Sequence, residues 1–162
     1  LHSLIHRFAM FVFSVFISKL FPSVEVSFGV TSSKIIYLKR LKTEYIVTQM
    51  FFDNQKYFDF VKLCRDNDIN VPIIPGLKPL STVKHLNVLP HRFHLNLPSE
   101  LVNEVLKCND KDDIRQVGVD WAVQQTKELI AFGAPCIHFY TMGNTNNIIK
   151  IMSNFCLSLI HI

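Results

Sequence analysis

The chain has 162 residues, of which 49% are hydrophobic and 19% are charged, a balance that is typical of one globular domain and excludes a disordered chain. Its net charge of +4 is scattered apart from one basic group at residues 39–42, and no stripe of Lys and Arg alternates with aromatic residues, so a nucleic-acid partner is not expected. The cysteines form no CxxC pair and the histidine pairs lack acidic or cysteine neighbours, which predicts reduced cytoplasmic thiols and no metal site.

Residues 1–23 differ from the rest of the chain and are expected to be foreign to the domain or buried against it. The run from Phe8 to Ile17 is almost wholly apolar, but as a helix it would rise only about 15 Å, half of a bilayer. The basic start resembles a signal peptide, yet Phe21-Pro22 offers no small-residue cleavage site. We therefore expect no stable membrane association, with docking of this run on a membrane surface as a weaker alternative.

Four runs of strand length follow. Three are largely continuous in apolar residues, which predicts strands covered on both faces, as in a parallel sheet: YIVTQM (45–50), VPIIPG (71–76) and CIHFYTM (136–142). The run VEVSFGV (24–30) alternates instead and predicts a strand with one polar face.

Helical patterns separate these runs. They cover residues 35–42, 55–65, 99–107 and 114–132. Pro98-Ser99 is typical of a helix start, and Gly133 is typical of a helix end. Strands that alternate with helices predict an α/β fold over residues 24–156, followed by a tail at 157–162.

Polar or small residues end three of the predicted strands, which is where parallel α/β folds carry their chemistry. They are Thr48 and Gln49, Pro75 and Gly76, and residues 141–143. Gln49 is an amide among apolar residues, and burial of an unpaired amide is costly, so a partner for it is expected.

Each of these positions also has a structural interpretation. Gln49 would form a hydrogen bond to a neighbouring strand or loop. Pro75-Gly76 would form a turn. His138 and Tyr140 would be core residues, with the tyrosine hydroxyl paired.

Three segments carry motifs that rarely occur together at these separations. They are YIVTQMFFDNQKYFDFV (45–61), VPIIPGLKPLST (71–82) and VGVDWAVQQTKELIAFGAPCIHFYTMGN (117–144). Their TQ-x-FFD, PIIPG-x-x-P and HFYT motifs make residues 37–151 resemble the second half of methylenetetrahydrofolate reductase.

The resemblance implies an eight-stranded TIM (β/α)8 barrel that binds FAD, which NAD(P)H reduces and which then reduces a folate substrate, 5,10-methylenetetrahydrofolate. Gln49 would then lie between the flavin and the folate ring, and Val47 would contact the flavin. Tyr140 and Met142 match positions that contact substrate or nicotinamide.

The same resemblance assigns weaker roles to other residues. His85 stands where some members carry a substrate-binding glutamine, and Leu89 stands where a stacking phenylalanine is sometimes found. Asn144 replaces a basic residue, which weakens any hold on the substrate or its glutamate tail.

Two further positions match FAD contacts. Arg40 aligns with a basic residue that meets the FAD phosphate, for which arginine is well shaped. Tyr37 takes the place of a polar FAD contact. Residues 39–42 would equally form a solvated helix face, and the loop and turn around them are shorter than in the family.

Such a barrel needs about 250 residues and eight strands, whereas about four strands are predicted here. The chain is therefore expected to be a partial barrel whose N-terminal half is absent. Because no Met stands first, the chain is expected to begin inside a longer reading frame. The family's acidic residues lie on the earlier strands, so no catalytic residue is assigned, and Asp53 and Asp59 are expected to be solvated or to cap a helix. The fragment is expected to be inactive alone.

The alternative is a non-catalytic half-barrel that self-associates or pairs with another half, and a homo-oligomer is expected.

Overall fold

The computed structural model describes the backbone of residues 23–26 together with residues 38, 43–141 and 145–156. The predictions for residues 1–22 and for the tail at 157–162 therefore fall outside the described residues. The same holds for Tyr37, Arg40, Met142 and Asn144. Of the helix predicted at 35–42, only Leu38 is described; it is helical and buried.

The described strands form one parallel sheet. They are β1 (Ser23–Val26), β2 (Tyr45–Met50), β3 (Ile73–Leu77) and β4 (His138–Phe139). Their order in the sheet is β1-β2-β3-β4, and every neighbouring pair is parallel. The predicted parallel α/β arrangement is confirmed, whereas closure into a barrel stays a prediction.

Helices cover the connections between the strands. They are α1 (Asn54–Asp66), α2 (His85–Phe93), α3 (Ser99–Lys107), α4 (Lys111–Phe132) and α5 (Asn146–Cys156). The predictions of α1 and α3 are confirmed to within a residue. Sequence analysis missed α2, which has no side-chain cap and contains Pro90, and it missed α5, which packs on α4 through Ile151.

The ends of α4 follow from its capping residues. The Asp110 carboxylate accepts hydrogen bonds from the backbone N–H groups of Asp112 and Asp113, so the helix begins three residues before the predicted start at Ile114. Gly133 ends the helix in the left-handed conformation, with φ of 99°, as predicted. Asp53 likewise caps α1, accepting from the backbone N–H of Gln55 at 3.0 Å.

Two apolar clusters pack on the sheet. The first joins β2 and β3 to α1, α4 and α5 and includes Ile46, Ile73, Leu77, Tyr57 and Leu129. The second lies under α2 and α3 and includes Met50, Phe52, Leu80, Leu89 and Leu101.

The strands differ in how completely they are covered. β3 is buried along its whole length, as predicted. The prediction of burial on both faces is wrong for β2, where Ile46, Thr48 and Met50 are buried but Tyr45, Val47 and Gln49 are only half-buried. β2 therefore directs one row of side chains away from the helices, because successive residues of a strand point to opposite faces.

β4 is shorter than the predicted run of residues 136–142. It spans only His138–Phe139. Within the described residues it pairs with β3 alone, and this pairing stops where β3 ends, at Leu77. The N–H of Tyr140 still donates to the carbonyl of Leu77 at 2.9 Å. In the parts of the chain that the structure describes, no helix combines the length and the apolar character that a membrane crossing requires.

Candidate functional site

The carboxyl ends of β2, β3 and β4 meet at one edge of the sheet because the strands are parallel. Met50 is level with Gly76, and Gly76 is level with His138. The register shifts between Val47 and Met50, which marks a β-bulge at Thr48 and Gln49. Bulges redirect side chains and free backbone groups from the ladder, and they recur beside active sites.

Gly76 lies where the strand ends approach most closely. Its N–H donates to Thr48 Oγ1 at 2.9 Å. A Cβ atom at this position would lie 2.4 Å from the Thr48 carbonyl oxygen and 2.7 Å from Tyr140 Cε2, so no larger residue fits. The alternative that Pro75-Gly76 forms a turn is wrong, since β3 continues through both residues to Leu77.

Tyr140 covers Gly76 from the end of β4. Its hydroxyl donates to the carbonyl oxygen of Thr48 at 3.1 Å. Its ring meets that of His138 edge to face, with 4.6 Å between centroids. The hydroxyl is thus engaged in a structural bond, as its structural interpretation predicted, while the side chain stays half-buried.

Gln49 is half-buried at the end of β2. Its side-chain Oε1 accepts a hydrogen bond from the N–H of Met50 at 3.0 Å. Its amide nitrogen has no hydrogen-bond partner among the residues that the structure describes. The side chain borders a recess of about 40 Å³ beside Phe93 and Leu95, which is room for roughly one water molecule. Gln49 therefore holds the bulge and keeps a donor pair available.

His85 is the first residue of α2, and its ring is oriented by the loop before it. The N–H of Ser81 donates to His85 Nδ1 at 3.3 Å, which leaves Nε2 as the protonated nitrogen of the neutral ring. Burial, and then the positive charge of Lys78, lower the pKa of His85. At neutral pH this side chain is therefore an uncharged donor.

Leu89 lies one turn further along α2. It is only 2% exposed and packs in the second apolar cluster with Met50 and Leu101. The predicted ligand contact is thus replaced by a packing role, because the apolar side chains of the second cluster surround Leu89.

Sequence analysis missed Lys78, which follows β3 directly. It is 6% exposed, and its Nζ donates to the carbonyl oxygen of Tyr140 at 3.5 Å. Burial lowers the pKa of this ammonium. The available signal was a lysine between Leu77 and Pro79 at the end of a wholly apolar run, where a solvated position is unexpected.

Val47 and the predicted FAD contacts are only partly placed. Val47 is half-buried, lies level with Ile74 and stands two residues before Gln49 on the less covered face of β2. Its two predicted companions, Tyr37 and Arg40, lie outside the described residues, as does the predicted substrate contact Met142.

A larger cavity of about 610 Å³ adjoins the recess at Gln49, with Phe52, Lys56 and Asn96 in both walls. Trp121 forms part of its wall, and its indole N–H donates to the carbonyl of Phe52 at 3.0 Å. Asn54 and Gln125, also in the wall, bond to each other at 3.1 Å. The Asn54 and Gln125 amides and the Trp121 indole are therefore engaged within the protein.

The thiols and metal-ligating groups suggest no second chemistry. Cys64, Cys108 and Cys136 are free thiols, and burial raises the pKa of Cys64 and Cys136 to about 11. Within residues 38, 43–141 and 145–155, no group of three or more His, Cys, Asp or Glu side chains could hold a metal ion.

The strand ends therefore combine three donors with an aromatic side chain. The donors are the Gln49 amide, the Lys78 ammonium and the His85 imidazole, and Tyr140 is the aromatic residue. Such an edge matches a planar heterocycle whose rim carries carbonyl oxygens and ring nitrogens.

Comparison with known proteins gives one consistent family. The family model for methylenetetrahydrofolate reductase matches residues 5–156. Methylenetetrahydrofolate reductase (NADH) 1 of Arabidopsis thaliana is 31% identical over 129 residues, which are 77% of this chain and 22% of that protein. The 5,10-methylenetetrahydrofolate reductase of Salmonella typhimurium is 34% identical over 99 residues, or 60% of this chain and 33% of that protein. The chain thus spans about a fifth of the plant relative and a third of the bacterial one.

A solved structure supports the fold. An uncharacterized protein from Clostridium thermocellum, which binds two copies of 5-methyl-5,6,7,8-tetrahydrofolic acid, superposes with a TM-score of 0.50 at 19% identity. The match covers 75% of this chain and 45% of that one.

Proposed function

Since the chain belongs to the methylenetetrahydrofolate reductase family, we propose that its strand ends form part of the site at which 5,10-methylenetetrahydrofolate is reduced to 5-methyltetrahydrofolate. The reductant is NAD(P)H and the carrier is FAD. The relatives include enzymes named for NADH and for NADPH, which supports a nicotinamide reductant without choosing between the two. The Clostridium protein supports a folate as the ligand class for this fold.

One observation carries the proposal: the donor of Gln49 and the donor of His85 stand at the same edge of a parallel sheet. Both are half-buried, and each has its other polar atom held by a backbone N–H group, Met50 for Gln49 and Ser81 for His85. Side chains held in this way are pre-organised, so little conformational entropy is lost when a ligand binds.

We assign Gln49 to the folate ring, where its amide nitrogen donates to a ring acceptor. His85 donates through Nε2 as a neutral imidazole and replaces a glutamine amide without adding a charge. The Tyr140 ring supplies an apolar wall, since its hydroxyl is engaged with Thr48. Met142 lies outside the described residues and stays a predicted substrate contact.

The residues present fit the rim of a flavin, although they do not cover the whole cofactor. Val47 offers an apolar contact on the less covered face of β2, and Gln49 offers a donor two residues later. Arg40 and Tyr37 are proposed for the phosphate and polar contacts of FAD. A bound flavin would supply hydride transfer from the nicotinamide to the folate carbon, and the protein would supply binding and orientation.

The free, protonated thiols fit a protein of the reducing cytoplasm, which we propose as its location. Disulfides form in oxidising compartments, and the described cysteines are unpaired. Folate-dependent one-carbon metabolism, including methionine biosynthesis, is the process proposed for this reaction.

The proposal is tested on the purified 162-residue chain. Because the fragment is expected to be inactive alone, we expect FAD to bind with a change in its visible absorbance but no bleaching of that absorbance by NADH or NADPH. Binding of 5-methyltetrahydrofolate is measured separately by calorimetry. A chain that folds but binds neither FAD nor the folate would contradict the proposal.

The second candidate function is association without catalysis. It is favoured by the half-buried row of Tyr45, Val47 and Gln49, which the described helices do not cover. Sedimentation would then show a stable dimer, and Val47→Asp would convert it to monomer because a charge in such an interface is unpaired. A wild-type chain that sediments as a monomer would remove this candidate.

A further inference from the structure

Lys78 is a buried cation with no counter-ion among the described residues. It lies between Leu77 and Pro79, which are buried like it, and its own exposure is 6%. No carboxylate among the described residues pairs with its ammonium. Lysine is almost never buried to this extent unless it is paired, so its place demands a cause.

Its one hydrogen bond is weak. The Nζ reaches the carbonyl oxygen of Tyr140 at 3.5 Å, which is longer than an ordinary N–H···O bond. An ammonium carries three N–H donors, so two find no acceptor among the described residues. Burial of such donors is costly, and burial accordingly lowers the pKa of Lys78.

Its position connects this unpaired charge to the site. Lys78 directly follows β3, its bond goes to the end of β4, and its charge is felt by His85 at the start of α2. The ammonium therefore lies where β3 and β4 end, within electrostatic range of the start of α2. All three belong to the edge at which Gln49 and Tyr140 also lie.

We propose that Lys78 is a ligand-binding residue whose ammonium donates to a cyclic-amide carbonyl oxygen of a fused heterocycle at the strand ends. This inference rests on the proposed function. Two ligands offer that chemistry, namely the isoalloxazine ring of a flavin and the pterin ring of a folate. The carbonyl oxygen of a cyclic amide draws electron density from the ring nitrogen beside it, and it accepts strongly from an ammonium because charge-assisted hydrogen bonds exceed neutral ones.

The test compares Lys78→Met with Lys84→Met in the full chain. Met keeps the length of the lysine side chain and removes its charge and its donors. Lys84 is an exposed lysine six residues later, without a side-chain hydrogen bond, and serves as the matched control. Binding of FAD is followed by absorbance, and binding of 5-methyltetrahydrofolate is followed by calorimetry.

For Lys78→Met we expect at least about tenfold weaker binding of one of these ligands, the loss that follows from removal of a charge-assisted hydrogen bond. The ligand that is affected identifies the heterocycle. Lys84→Met should bind both as the wild type does. Without ligand, Lys78→Met should melt about 2–4 °C higher than the wild type, because an unpaired charge has left the interior.

The outcomes distinguish a failure of the role of Lys78 from a failure of the proposed function. If the wild type binds a ligand and Lys78→Met binds both equally well, the role of Lys78 is overturned while the proposed function stands. If the wild type binds neither ligand, the proposed function fails, and the inference falls with it. A lower melting temperature with unchanged binding would assign Lys78 a structural role instead.

If Lys78→Met does not fold, Lys78→Gln provides the same comparison, since Gln keeps a neutral donor of similar length. We expect intermediate affinity for this variant. Affinity equal to that of the wild type would show that the charge is not used in binding and would overturn the inference.

Discussion

The helix-covered core and the strand-end edge differ in how completely their polar groups are hydrogen-bonded. In the core, the Tyr57 hydroxyl donates to the carbonyl of Ile73 at 2.7 Å, and Asn54 and Gln125 bond to each other at 3.1 Å. At the edge, the Gln49 amide nitrogen has no partner within the described residues, and Lys78 has one long bond. Paired groups serve stability, whereas groups left unpaired at a cost are the better candidates for ligand binding.

Two buried hydroxyls depart from this contrast. The Tyr45 hydroxyl on β2 and the Thr126 hydroxyl on α4 are buried and have no partner among the described residues, and nothing in the structure explains either. Neither residue lines the recess at Gln49 or the cavity at Trp121.

The largest expected effect is on the core. Leu129→Ala removes a fully buried side chain of α4 and should lower the free energy of unfolding by about 2–5 kcal/mol, through lost burial and a cavity. Ile130→Ala, at a neighbour that is 43% exposed, is the matched control and should cost far less. Urea denaturation measures both. Equal losses would mean that α4 does not pack as described.

Gly76→Ala tests the point at which the two regions meet. The added Cβ would lie 2.4 Å from the Thr48 carbonyl oxygen, so the strands must separate, at a cost of about 1–3 kcal/mol. Because the Tyr140 ring must also move, ligand binding should fall with stability. Thermal melting and FAD titration check the two effects, and a variant as stable as the wild type would refute the close approach.

Two amide variants sharpen the comparison directly. Asn54→Ala should cost about 1–3 kcal/mol, because it leaves the buried Gln125 amide without its partner, and should leave ligand binding intact. Gln49→Ala should cost about 0.5–1.5 kcal/mol, because it removes the bond from the N–H of Met50, yet abolish folate binding. Urea denaturation and calorimetry measure both. If Asn54→Ala instead weakened folate binding and Gln49→Ala mainly lowered the free energy of unfolding, Asn54 would be the ligand-binding amide and Gln49 the structural one.

The smallest effect is a dependence of stability on pH. The pKa of His85 is lowered in the folded state, so between that pKa and 6.5 the unfolded chain binds more protons than the folded one. The contribution of His85 to the free energy of unfolding therefore rises with pH up to about 6.5, the ordinary histidine pKa, and does not change above that pH. His85→Gln should flatten this rise, while His91→Gln, at an exposed position of α2, should not. Melting temperatures across pH 4.5–7.5 would reveal it, given about 2 °C precision or better.

The sequence allowed several elements to be predicted closely. β2, α1 and α3 were predicted because an apolar run or an apolar stripe coincides with local start signals. α2 was missed because Pro90 and an uncapped start obscure its pattern, although tertiary contacts of Leu89 stabilise it. Such contacts override local propensity and cannot be read from neighbours along the chain.

The site was predictable in part for a similar reason. Gln49 was identified because an amide within an apolar run is conspicuous, and Gly76 because it ends such a run. Lys78 was overlooked because lysine is ordinarily solvated, and only the surrounding structure reveals that it is buried. Leu89 was assigned to a ligand, but the second apolar cluster occupies its surface.

The sequence by itself determined the family, the parallel α/β class and the end of β2 at Met50, because these depend on motifs and on local runs of apolar side chains. Only the tertiary structure decided that the Tyr140 hydroxyl is engaged, that Leu89 is core and that Lys78 is buried with no counter-ion among the described residues. The reason is physical: burial and hydrogen-bond pairing are properties of groups brought together from distant positions in the chain, and no local pattern encodes which groups remain unpaired.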